Sequence, residues 1–233
     1  MNLSNDSQIS RLNFFQSPLG KKFTTGLTGF GLILFVVFHA LGNLLLLNDP
    51  QAYNQLAHNL ESWGFVFYGI ELILGLAIVV HLVVGISIRL QAWRSRSLSY
   101  QQVESAGSPS KQSLSSRSMA ITGLLTLAFL GWHLITFKFG ATDRIISNGE
   151  AIRDLASLVI ETLQNPIYTF SYVGFIVFLG IHLRHGIWSA AQSIGILEGK
   201  TSSLFYVISS ITAFLITLGF VIVPLSIYFG LVN

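Results

Sequence analysis

Residues 64–90 read GFVFYGIELILGLAIVVHLVVGISIRL. This run carries one acid, Glu71, one base, Arg89, near its end, and one histidine, His81, well inside it. A helix needs about 20 mostly apolar residues to cross the hydrocarbon core of a bilayer, so the run reads as a membrane span. Four more runs of similar character lie near 24–47, 119–139, 166–192 and 204–230. The composition agrees: of 233 residues 52% are hydrophobic and only 10% charged, with a mean hydropathy of +0.64. Soluble domains carry about 25% charged residues. The fold class expected is an all-α integral membrane protein, one membrane domain over 1–233 with five transmembrane helices.

The connectors are polar. The longest, 94–118, is rich in serine, glutamine and basic residues and reads as a flexible loop. Asp49-Pro50 is a helix-start signal leading into 50–60. In 151–163, Ile152, Leu155, Val159 and Leu163 fall at helical spacing, which reads as a helix lying on the membrane. The polar N-terminus, Met1 to Lys22, has no short apolar core with a cleavage site, so no removable signal peptide is expected.

Lysine and arginine sort unevenly. Arg11, Lys21 and Lys22 precede the first run, Arg89, Arg94, Arg96, Lys111 and Arg117 lie around the second-to-third connector, and Arg184 and Lys200 lie toward the fifth run. The opposite side has Lys138, Arg144 and Arg153. The positive-inside rule puts the N-terminus in the cytoplasm and the C-terminus outside. It also accounts for the net charge of +3 and pI near 9.3 without nucleic acid. Trp63, Trp93 and Trp188 fall near expected helix ends, as interfacial anchors do.

Each of the first four runs holds a central histidine: His39, His81, His133 and His182. An ionisable or metal-ligating side chain at membrane depth is costly and marks a functional candidate. Cysteine is absent, which excludes thiolate-bound clusters and cysteine-anchored haem in this chain. At about 1.5 Å per residue His39 and His133 lie some 22–24 Å from the inner ends of their runs, and His81 and His182 about 12–15 Å from theirs. Depth therefore pairs His39 with His133 at an outer level and His81 with His182 at an inner one, about 10 Å apart. Two imidazole pairs suit two haems with both axial positions filled, which carry electrons and leave no open site for oxygen. The first four helices would form the haem-binding bundle, with the fifth packed outside. His185, three residues after His182 on the same face, is an equal candidate by depth, and His58 lies in an outer connector.

Other residues take secondary places. Glu71 and Glu61 are the acids near the outer level, candidates for proton transfer there. Lys22, Arg89 and Arg184 near the inner level, and Lys138 beyond His133, are candidate partners for haem propionates. Trp132 and Trp188 are candidates to pack on porphyrin, and Gly42, Gly85, Gly131 and Gly186 would let a flat macrocycle approach. A proton-relaying transporter would call for broken helices or several buried acids, neither of which is evident. The cytochrome b of bc complexes places two ligands on one helix, and this chain does not.

Ser17-Pro-Leu-Gly-Lys-Lys-Phe23, Thr28-Gly29, His39-Ala-Leu-Gly42-Asn43, Tyr53-Asn54, His81 with Gly85, Thr122-Gly123, Trp132-His133 and His182-Leu-Arg-His-Gly186-Ile-Trp188 occur in that order. In order and spacing they resemble the single-chain, five-helix dihaem cytochrome b anchor of succinate dehydrogenase and fumarate reductase. The resemblance implies His182 rather than His185 as ligand, two haems b, and a quinone as substrate, with Glu61 and Glu71 as the candidates to exchange its protons. It also implies docking on the cytoplasmic face of a bacterial inner membrane by a flavoprotein and an iron–sulfur subunit, which carry FAD, the clusters and the dicarboxylate chemistry. Some relatives have an acid just before the fourth-helix ligand as part of a proton route. Here Gly180 and Ile181 stand there, which argues against that route.

Overall fold

A computed structural model describes residues 14–94, 118–197 and 201–232, without the side chains of 201 and 202. The connector expected at 94–118, with Arg96, Lys111 and Arg117, lies almost wholly outside the described residues, as do Arg11 and Lys200. Five helices are long and apolar enough to cross a membrane. They are α1 (Pro18–Leu45), α3 (Phe65–Arg94), α4 (Met119–His133, running on as a π-helical turn over Leu134–Lys138), α6 (Pro166–Ser193) and α7 (Thr201–Tyr228). The protein is an all-α integral membrane protein with a small cap built between spans.

Three helices open on the same local chemistry. Ser17, Asp49 and Asn165 each precede a proline, and each side chain accepts a backbone N–H of the first turn, from Gly20 at 3.0 Å, Ala52 at 2.9 Å and Ile167 at 2.9 Å. This is why α1 begins at Pro18, six residues before its apolar run.

Span α6 packs most extensively on α7 and next on α1, α3 lies on α1, and α4 lies on α6. The α3–α4 seam is sparse, and α3 has no fully buried residue. Close approach of the packed spans relies on missing side chains: a Cβ on Gly26 would meet Ser193 Cβ at 2.7 Å, and one on Gly180 would run into the Thr217 hydroxyl. The fifth span is not simply peripheral, because Phe220 of α7 stands 5.7 Å from the His39 ring.

The cap closes one end, called here the cap side. It comprises α2 (Pro50–Glu61), a hairpin of β1 (Arg144–Ser147) and β2 (Glu150–Arg153), and α5 (Leu155–Gln164). The helix expected over 151–163 is therefore corrected at its start: Ala151–Arg153 are strand, paired antiparallel with 144–146. Asn148-Gly149, at φ 51° and 84°, forms the two-residue turn that left-handed conformations permit. Only from Leu155 does helical spacing take over, burying Ala156, Val159, Ile160 and Leu163 against span ends rather than lipid.

Asn54 holds the cap together. At 3% exposure it donates to Asp154 Oδ1 (2.8 Å) and accepts from the Ala156 N–H (2.7 Å). Burial would push the Asp154 carboxyl up, but hydrogen bonds from the Ser157 hydroxyl, Asn54 and the Ser157 amide outweigh it and hold it below the usual range. Its contribution is therefore complete above the ordinary carboxylate pKa and is lost as pH falls through the lowered one. Asn54→Ala strands a buried amide and is expected to destabilise the cap by about 2 kcal/mol, read as earlier proteolysis within 144–164 while the spans stay intact.

Candidate functional site

Four histidines meet in two pairs at two levels. His81 of α3 and His182 of α6 lie toward the N-terminal side, ring centroids 6.4 Å apart at 74°. His39 of α1 and His133 of α4 lie toward the cap, 5.7 Å apart at 89°. Among the described residues no cluster of three or more His, Asp or Glu could hold a metal ion. Each pair thus offers a metal two imidazoles and no further His, Asp or Glu among the described residues. Two imidazole–metal bonds of about 2 Å, plus about 1 Å from each nitrogen to its ring centre, span about 6 Å, which both pairs match.

The N-side pair is held by a repeated device. His81 Nδ1 lies 3.3 Å from the Thr28 hydroxyl and 3.2 Å from the Thr25 carbonyl oxygen, and His182 Nδ1 lies 3.3 Å from the Thr122 hydroxyl. A proton on Nδ1 donated to these oxygens leaves the Nε2 lone pair for a ligand, as outer partners do for metal-binding histidines. Beside each threonine a glycine makes room: a Cβ on Gly29 would lie 3.1 Å from His81 Cε1, and one on Gly123 3.2 Å from His182 Cε1. His39 stands eleven residues after Thr28 and His133 eleven after Thr122, about three turns on the same helix face. Spans α1 and α4 thus each cradle a histidine of the N-side pair and supply one of the cap-side pair.

The chain is similar to the succinate dehydrogenase cytochrome b558 subunit of Bacillus subtilis (strain 168). The two are 23% identical over 164 residues, 70% of this chain and 73% of the relative. No family model matches the chain, and no solved structure matches it significantly.

Two uncrowded glycines follow the histidines of the N-side pair. Gly85 and Gly186, each one turn beyond its histidine, have nothing within 4 Å of where a Cβ would stand. Trp188 is buried, its indole Nε1–H without a partner among the described residues, 6.0 Å from His185, and so is no exposed interfacial anchor, unlike Trp63 and Trp93. At the cap-side pair Gly42 faces Leu56 and Gly131 is exposed with nothing near it. Aromatic rings enclose that pair: Phe35 stacks on His39, while Phe129 and Phe137 lie 5.8 and 5.4 Å from His133. Trp132 packs on Tyr168, Tyr172 and Phe175.

The charged candidates scatter. Lys22 and Arg89 are exposed. Arg184 turns to α7, stacking on Tyr206 with its guanidinium 4.7 Å from the ring centre and donating to the Tyr206 and Ser210 hydroxyls. Glu61 is exposed at the end of α2, and Glu71 is ion-paired with Lys138. His58 pairs with Glu150 across the cap at 2.8 Å, away from both histidine pairs. Arg153 donates to the carbonyls of Phe137, Lys138 and Gly140, closing the end of α4. Burial pushes the Tyr53 phenol up to about 12 against the pull of Arg153, so it stays protonated near neutrality.

Proposed function

We propose that this chain is a dihaem cytochrome b that anchors a succinate dehydrogenase or fumarate reductase to a bacterial cytoplasmic membrane. It passes electrons between the iron–sulfur subunit and a membrane quinone. The observation that carries the reading is the two facing imidazole pairs, stacked in depth inside one bundle. The similarity to a succinate dehydrogenase cytochrome b558 subunit supports it. When bound, two haems b supply one-electron carriers that span most of the bilayer.

His81 and His182 hold the N-side haem, and His39 and His133 the cap-side one. With the N-terminus cytoplasmic, as the basic residues favour, the N-side haem faces the iron–sulfur and flavoprotein partners, which bring the clusters, FAD and dicarboxylate chemistry. A quinone at the cap side takes or gives protons through an acid in reach of water. Glu61 suits that role, being exposed at the cap mouth, whereas Glu71 is already paired. The propionates of the N-side haem draw on Lys22, Arg89 or the Trp188 Nε1–H.

The functional test is reduction of the chain's haem by succinate in membranes that contain the whole complex. Succinate is expected to reduce it, a quinone analogue to block its reoxidation, and the flavoprotein and iron–sulfur subunits to copurify with a tagged chain. Purification of the chain with haem but without those subunits would contradict the reading. Thr28→Val and Thr122→Val each remove one outer hydrogen bond from an N-side histidine. Each is expected to lower retention of that haem about tenfold, read as haem per chain after detergent extraction.

A further inference from the structure

An ionic pair lies within the membrane-spanning part. Glu71, on the second turn of α3, accepts from the Lys138 ammonium at the end of α4, with the side chains 35% and 32% exposed. The same ammonium stands 5.0 Å over the Phe67 ring, one turn before Glu71. The π-helical turn makes this contact. In an α-helix a residue five places after His133 points about 140° away from it. The wider turn, with bonds such as Phe139 N–H to Leu134 O at 2.9 Å, brings it round by roughly one full turn. Lys138 is thereby carried to α3 across the sparse seam, about one turn beyond His133 on the cap side, while His81 stands ten residues, about 15 Å, from Glu71 along α3.

We propose that Lys138 and Glu71 form a charge-compensated clasp that fixes the electrostatic potential at the His39–His133 pair, and so the redox potential of the cofactor held there. The inference rests on the two-haem reading above. Paired, the two charges nearly cancel at a distance. Separated, either one acts strongly, because at an effective dielectric of about 20 a unit charge within roughly 10 Å changes a neighbouring equilibrium by about tenfold. A lone Glu71 carboxylate opposes arrival of an electron, and a lone Lys138 ammonium favours it.

The test is potentiometric titration of both haem signals in the purified full chain, the cap-side signal being the one that His133→Ala removes. Lys138→Met is expected to lower the cap-side potential and Glu71→Gln to raise it, each by about tenfold in the reduced-to-oxidised ratio, or about 59 mV for one electron. The double variant should return close to wild type, and the N-side signal should move much less. Shifts of the same sign, equal shifts in both haems, or no shift in either would overturn the proposal while leaving the functional reading in place. A wild-type chain with no haem signal would overturn both. If a single variant sheds the cap-side haem, Lys138→Arg and Glu71→Asp are measured instead. Both keep the charge and should keep the potential, and a tenfold shift in either overturns the clasp.

Discussion

His182→Ala is expected to remove one haem of two and to slow electron transfer from succinate to quinone by at least 100-fold. The His182 ring is held between the Thr122 hydroxyl and Gly123 and faces the His81 ring, centroids 6.4 Å apart. Its loss leaves the N-side pair with one imidazole, and no group of three or more His, Asp or Glu stands in among the described residues. His185 is one turn further on and lies beside Trp188 and Arg184, so it is not expected to rescue the site. The measurement is haem per chain with the reduced-minus-oxidised spectrum. His81→Ala should remove the same spectral component, and His39→Ala or His133→Ala the other. Retention of both haems in His182→Ala, with loss of one in His185→Ala, would overturn the assignment of the pair.

The second large effect comes from residues that bind nothing. Gly123→Val puts a branched side chain where even one Cβ stands 3.2 Å from His182 Cε1 and 3.6 Å from Nδ1. Contacts that close force the ring to rotate, which separates Nδ1 from Thr122 and swings Nε2 off its partner. Retention of the N-side haem is expected to fall by at least tenfold, the scale of losing an outer ligand contact. The mirror substitution, Gly29→Val, meets His81 at 3.1 Å and should act on the same haem. Gly75→Val is the control: it is exposed on α3 with nothing within 4 Å of its Cβ, so haem content and insertion should match wild type. Equal haem loss in Gly75→Val would mean that added bulk, not crowding of the ligand, is at work.

The spans were legible because long apolar runs have few other readings, and the histidines because each interrupts such a run. Reckoning depth from charged ends separated the four into the two levels at which the rings meet. The hairpin was missed although Asn148-Gly149 is a strong turn signal. Ile152 falls in register with Leu155, Val159 and Leu163, and that spacing hid the strand. The cradles of Thr28-Gly29 and Thr122-Gly123 had a signal too, the equal interval of eleven to the next histidine, but its meaning depends on which helix packs where. The π-helical turn has no proline or glycine to announce it, so the pairing of Lys138 with Glu71 waited for three-dimensional structure. Position near the N-side level says nothing about which face Arg184 occupies, and in the structure its guanidinium meets Tyr206 and Ser210 of α7.

The central claim is that these histidines hold two haems. Haem quantification on the purified chain, with a low-temperature redox difference spectrum, tests it most directly. The account predicts two low-spin haems b per polypeptide, separable into components that respond to different histidine pairs. One haem per chain, or none, would contradict it.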